Sequence, residues 1–330
     1  MSELPSAVAW PDGRRFAFTI FDDTDRTTVV NGPPVYDVLT DLGMYVTKSV
    51  WPVAPAGPPT TGGQTCADPG YRAWAIRLQD EGHEIGFHNA SDHPSRREET
   101  IKALDEFRSI FGHDPRIGAD HSHNREALYW VEARLSGARR TMYRRFRAVT
   151  NPGFPSLEGH VPTSPYFWGD VCRDRVTYWR SFTFRRTNLL GPTPLLPYHD
   201  PARHYVNYWF TSTHAPTLEP FLDLLRPDRL DQLEEEGGVC IVYSHLGHDF
   251  APGGRLDHRF VRAMEALAAR PGWFAPTAEV LDHLRAQHLT SLLTDRQRAR
   301  MERTWIADQV RTRGVSEAKR VISTHRAKRS

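Results

Sequence analysis

The stretch that most constrains this chain is the apolar run Arg15 to Phe21, which ends in two adjacent carboxylates, Asp22 and Asp23. Its Phe and Ile content, with Gly13 ahead of it, predicts a buried strand. Two negative charges at the end of a buried strand are costly unless a cation, a donor or a proton compensates them. Side chains alternate along a strand, yet at its end both carboxylates can turn into one cleft. The plainer reading is a turn or a helix cap before Thr24.

The pattern that follows is strand, helix, strand. Pro33-Pro34 opens a helix through Leu42, closed by Gly43, and Met44 to Val50 reads as a second strand. Residues 52–70 form a loop rich in Pro and Gly, and Tyr71 to Glu81 fits a helix. Glu84 to Phe87 is a third strand, ending at His88. The next helix has Glu98 and Glu99 in its first turn, a stripe of Ile101, Leu104, Phe107 and Ile110, and Gly112 at its end. A short strand after Pro115 leads to the polar cluster Asp120-His121-Ser122-His123-Asn124, and a helix is expected from Glu126 to Leu135. This order predicts a parallel α/β fold.

Residues 150–236 read as an irregular, aromatic-rich insertion: 14 of the 36 aromatic residues fall there without helical or strand period. Those rings either stack on sugars or make a local core. Regularity returns with the strand Val239 to Tyr243, which ends at Ser244-His245, then a helix near His258 to Ala269, a last strand at Trp273-Phe274, and a helix from Pro276 to Gln287. Residues 1–290 are thus expected to be one catalytic domain and 291–330 a basic C-terminal tail, with 11 Lys/Arg against 4 Asp/Glu.

Composition excludes several classes. A net charge of +2 leaves no overall footprint for nucleic acid. Three scattered cysteines, Cys66, Cys172 and Cys240, suit a reducing compartment. No apolar run approaches the ~20 residues that span a bilayer, and Met1 to Trp10 does not read as a signal peptide. The expectation is a cytoplasmic protein.

Polar residues recur at strand ends: Asp22 and Asp23, His88, His245. Active sites of parallel barrels and open α/β sheets lie at the carboxyl ends of strands. His88 and His93, with Asp23, have the chemistry of a three-donor metal site. His83 reads as structural.

Here the chain resembles the polysaccharide deacetylases, carbohydrate esterase family four. The resemblance rests on Thr19-Ile20-Phe21-Asp22-Asp23, on Gly82-His83-Glu84-Ile85-Gly86-Phe87-His88 and on Ile241-Val242-Tyr243-Ser244-His245. It implies a distorted (β/α) barrel, with the irregular insertion and a helical basic tail added. It implies that Asp22 is the general base, His245 the general acid, and Asp23, His88 and His93 the ligands of one divalent ion: zinc, or cobalt, nickel or iron. Asp92, four residues after His88, is the alternative third ligand. The family's Arg-x-Pro segment is missing, and His121 or His123 would orient the base or contact substrate. Trp168, Asp170 and Trp209, with Tyr166, Tyr208 and Asp200, are expected to line the substrate cleft. The implied reaction removes an acetyl group from an N-acylated amine, such as an N-acetylated amino sugar in a small or carrier-linked glycan precursor. The alternatives are hydrolysis of another C–N bond, or a non-enzymatic metal-holding domain that binds glycan or a partner.

Overall fold

The computed structural model describes residues 8–310 other than Pro194 and Leu289. Every residue of β1 (Phe16–Asp22) is buried, as its apolar composition demands. The strands that follow are β2 (Thr47–Val50), β3 (Glu84–Phe87), β4 (Ile117–Gly118), β5 (Tyr178–Phe184), β6 (Tyr208–His214), β7 (Val239–Ser244) and β8 (Gly272–Trp273). The helices are α1 (Pro33–Asp41), α2 (Pro69–Asp80), α3 (Arg97–Phe111), α4 (Gly137–Thr150), α5 (Gly169–Arg175), α6 (Leu218–Leu224), α7 (Pro227–Glu235), α8 (His258–Ala268) and α9 (Thr277–Gln287). A further helix, α10, covers 295–310.

All pairings between these strands are parallel, and β1 to β7 form a closed ring. Closure comes from β1, which pairs with β7 from Ala17↔Val239 to Asp22↔Ser244 and with β2 at Phe21↔Thr47 and Asp22↔Lys48. The short β8 adds to the start of β1 at Phe16↔Gly272. This is the expected (β/α) barrel, and the carboxyl ends of its strands meet at one mouth.

Two features differ from the sequence reading. The span 150–236 contributes β5, β6 and three helices, so two of the ring's seven strands are built from it. Its strands carry Arg180, Ser181 and Thr183, and Thr211, Ser212 and Thr213, among their aromatics. Such a mixture masks the apolar run by which a buried strand is recognised. The helix expected over 126–135 is also absent: that stretch holds only a short 3-10 turn, Val131–Arg134, and α4 begins after it.

The basic C-terminal region is not wholly a loose appendage. In α10, Met301 and Trp305 are buried, Arg298 pairs with Asp200 at 2.6 Å, and Glu302 pairs with Arg139 at 2.5 Å. Residues 311–330 lie outside the described residues.

Candidate active site

Strand alternation splits the two carboxylates that end β1. Asp22 faces α1. Its Oδ2 takes the Lys48 ammonium at 2.8 Å and the Tyr36 hydroxyl at 2.9 Å, and its Oδ1 accepts Leu246 N–H at 2.7 Å. Asp22 and Lys48 are wholly buried, and Lys48 also donates to Thr27 Oγ1. This carboxylate closes the seam between β1, β2, α1 and the turn after β7. Both of its oxygens are engaged and none of it meets solvent.

Asp23 turns the other way, toward the mouth. Arg180, from the middle of β5, grips it with two hydrogen bonds of 2.7 and 2.5 Å. Burial opposes the charge on Arg180, but Asp23 more than offsets this and holds its pKa above the usual guanidinium value. The guanidinium lies 5.1 Å from the Phe21 ring centroid and 4.4 Å from that of Tyr243, both within cation–π range.

Two residues on, Asp25 sits at the centre of a ring of imidazoles. His88 Nε2 is 3.2 Å from its Oδ2, His121 Nε2 is 3.2 Å from its Oδ1, and His245 Nε2 is 3.7 Å from its Oδ2. Burial alone would raise the Asp25 carboxyl, but the hydrogen bonds and charges of His121 and His88 hold it well below the ordinary carboxylate range. His88 Nε2 also lies 3.8 Å from Asp23 Oδ2.

His121 is positioned by a small network. Asn89, directly after His88, adopts φ 59°, a left-handed conformation that Asn tolerates, and its Oδ1 accepts His121 N–H at 2.6 Å. Asn124 donates its amide protons to Ser91 O and Glu126 Oε1, which leaves its Oδ1 to accept from His121 Nδ1 at 3.1 Å. Both ring nitrogens of His121 therefore face acceptors. Burial works against a charge here, but Asp25 and then Asn124 outweigh it and push His121 up to about 9.

His245 is oriented differently. Its Nδ1 lies 3.1 Å from Pro216 O, a pure acceptor, so that nitrogen carries the proton. Nε2 is then turned toward Asp25 and toward the Tyr243 hydroxyl, 3.2 Å away.

Asp23, Asp25 and His88 each offer a donor atom within 4.8 Å of the others, a candidate metal centre of two carboxylates and one imidazole. The cluster fits a cation on a second count. Asp25 Oδ2 is buried without an aligned hydrogen-bond donor, and His88 Nδ1 is buried without a partner. Buried polar atoms are rarely left so.

The other expected site residues are placed as follows. His93 is not in the cluster: its Nδ1 is 3.0 Å from Pro94 O, and its ring lies against Gly57, where a Cβ would come within 2.4 Å of Nε2. Asp92 Oδ2 is occupied by the N–H groups of Thr61 and Gly62, both at 2.7 Å, while its Oδ1 faces His121 Nε2 at 3.5 Å. In the candidate cluster the third donor beside Asp23 and His88 is Asp25, from the turn after β1. His123 is exposed at the rim, its ring 6.2 Å from that of His121.

The expected cleft aromatics are not brought to the cluster. Trp168 is fully buried, donates to Glu126 O at 2.7 Å and packs edge-on to Trp179. Trp209 is buried against Tyr129. Asp170 is engaged by Arg97 through two bonds of 2.6 and 2.8 Å. Tyr166 lies under Arg125, Tyr208 under Arg285, and Asp200 is held by Arg203 and Arg298. Interior packing and ion pairing account for all six.

Asp25 and Arg180 were not singled out from the sequence. The signal for Asp25 was a third carboxylate within the same turn, Asp22-Asp23-Thr24-Asp25. For Arg180 it was one charge inside the aromatic run Tyr178 to Phe184.

No protein-family model matches the chain, and no curated protein matches it. Solved structures do. A probable polysaccharide deacetylase from Pseudomonas aeruginosa PAO1 superposes with a TM-score of 0.50 at 14% identity, covering 87% of this chain and 96% of that one. The Puue allantoinase superposes with a TM-score of 0.51 at 13% identity, covering 87% and 95%. These likenesses span nearly the whole length of both neighbours and agree with the seven-stranded parallel ring: this chain has the barrel fold of the polysaccharide deacetylases.

Proposed function

We propose that the protein is a metal-assisted hydrolase of an amide C–N bond in an acylated amine, with an N-acetylated amino sugar, free or carrier-linked, as its substrate class. The observation that carries this reading is the cluster of Asp23, Asp25 and His88 at the barrel mouth, with an Asp25 oxygen that no aligned donor reaches and an unpartnered nitrogen on His88, beside His245. These three residues would hold one divalent first-row ion, and imidazole with carboxylate suits zinc, iron, cobalt or nickel. When bound, such an ion polarises an acyl carbonyl and acidifies water.

The chain's own residues supply the rest. Arg180 fixes the direction of Asp23 through two hydrogen bonds. His121, anchored through Asn89 and Asn124, does the same for Asp25. With Nδ1–H on Pro216 O, His245 turns its Nε2 toward the cluster. That nitrogen takes the proton of the attacking water and returns it to the leaving amine. Asp22, whose role was expected to be that of the base, has both oxygens engaged by Lys48, Tyr36 and Leu246, and we leave it out of the proton path. Among the described residues no helix is long and apolar enough to cross a membrane, and a cytoplasmic site of action fits this reading.

The test is mass spectrometry of N-acetylated sugars and nucleotide sugars incubated with metal-loaded protein. Loss of one acetyl unit, abolished in His245→Ala, is the expected result. A cyclic amide in the same panel tests hydrolysis of another C–N bond, because ring opening adds one water and loses nothing. Bound metal with no turnover across the panel would overturn the enzyme reading in favour of a binding domain.

A further inference from the structure

The helices α4 and α10 leave a face that barrel chemistry does not use. α4 buries none of its residues fully. Met142, Phe146 and Val149 lie at i, i+4 and i+7 on it and are 58%, 45% and 83% exposed. Val310, on α10, is 66% exposed. Between the two helices runs an apolar groove of about 210 Å³, lined by Met142, Tyr143, Phe146, Ile306, Gln309 and Val310. Scattered single apolar residues need no explanation, but a contiguous patch does.

Exposed arginines crowd this patch. Arg140, Arg144 and Arg145 on α4, and Arg296, Arg300 and Arg303 on α10, are exposed. None of the six forms an ion pair among the described residues. The sequence that continues from Val310, residues 311–330, adds seven Lys/Arg and a single acid, Glu317.

We infer that this face docks on an anionic lipid bilayer. Charge decides among the occupants. The chain's own residues 311–330, or a second copy of α4, would bring like charge to the arginines. A nucleic acid would satisfy the cations but leave Met142, Phe146, Val149 and Val310 in water. A bilayer with anionic headgroups takes both: the apolar stripe enters the headgroup boundary and the arginines meet phosphate. The face also reaches the barrel mouth. Arg147 lies 4.9 Å from the Phe154 ring centroid, Phe154 is 5.7 Å from the His123 ring, and His123 borders His121. A bilayer bound here lies beside the candidate active site, and the inference stands whether or not that site is catalytic.

The experiment is co-sedimentation of the full chain with vesicles of phosphatidylcholine alone and of phosphatidylcholine mixed with phosphatidylglycerol. The full chain is expected to sediment with the anionic vesicles, less so as salt rises, and to stay in solution with the neutral ones. At about a factor of five per basic residue near the surface, the double variant Arg144→Glu, Arg145→Glu should lose at least ~10-fold in partitioning. Met142→Ser with Val149→Ser should lose a comparable amount, both pairs with unchanged unfolding midpoints because the residues are exposed. Equal binding to both vesicle types would overturn the inference. So would wild-type binding by both double variants with loss only in a chain ending at Val310, which would place the contact in residues 311–330 alone. A concentration-dependent dimer that Phe146→Ser abolishes, or RNA binding without vesicle binding, would overturn it in favour of that occupant.

Discussion

Two buried charged clusters grow from the same turn, and they are finished differently. On the helix side of β1, Asp22 meets Lys48, Tyr36 and the Leu246 N–H, so both carboxylate oxygens and the ammonium are engaged. On the mouth side, Asp23 is answered by Arg180, but Asp25 Oδ2 is met only by poorly aligned imidazoles of His88 and His245, and His88 Nδ1 has no hydrogen-bond partner. Burial and charge are shared by both clusters and separate nothing. Completeness of partnering separates them: the closed cluster holds elements together, and the open one retains capacity for a ligand.

The largest effect that tests this contrast is on the open side. Asp25→Asn should leave the fold intact and reduce hydrolysis by roughly a hundred-fold or more, with metal retention falling at least ~10-fold, read by turnover and by metal content after dialysis. His93→Ala, outside the candidate cluster, should retain metal as wild type does. Equal metal loss in the two variants would mean that the third donor has been misassigned.

On the closed side the effect falls on stability. Asp22→Asn sets an amide NH2 against a donor in either orientation and leaves the buried Lys48 charge uncompensated, which costs about 3–5 kcal/mol. The denaturant midpoint measures it. A variant that kept wild-type stability and bound metal yet lost turnover would restore Asp22 to the role of general base.

A smaller effect sharpens the same rule at His83, a closed site with no carboxylate. Its Nδ1 accepts Val46 N–H at 3.1 Å, so Nε2 carries the proton toward Thr40 Oγ1 at 2.9 Å. Burial lowers its pKa from 6.5 to about 4. The unfolded chain therefore binds a proton before the folded one does. Stability is complete above pH 6.5 and declines as pH falls toward 4, by up to ~1.4 kcal/mol per pH unit for this proton. His160 and His214, also lowered from 6.5 to about 4, add to the same acid limb. His83→Gln should remove one proton's share of that slope in unfolding curves taken across this range, whatever its effect on stability at neutral pH. An unchanged slope would show that His83 titrates alike in both states.

How much was legible depended on how local the signal was. β3, α3, α8 and α9 were readable within a few residues, because an apolar run or a helical stripe with its terminal Gly or Pro is a local pattern. β5 and β6 were not, because their polar residues are buried against partners outside their own strands, Arg180 on Asp23 and Thr211 on Thr193. Trp168 and Trp209 looked like sugar platforms for the same reason: composition marks an aromatic cluster without saying which side of the sheet it faces.

The chain by itself determined that carboxylates and imidazoles would end β1, β3 and β7, since those residues adjoin their strands in sequence and parallel strands share one mouth. Tertiary structure alone decided which carboxylate faces that mouth. Side chains alternate about β1, so the point where the strand ends and turns sends Asp22 to α1 and Asp23 to the interior. Ring closure then carries Arg180 to Asp23 across 157 residues, and the loop after β4 carries His121 to Asp25 across 96. Register and closure are properties of strand pairing through space, and no local pattern of residues encodes them.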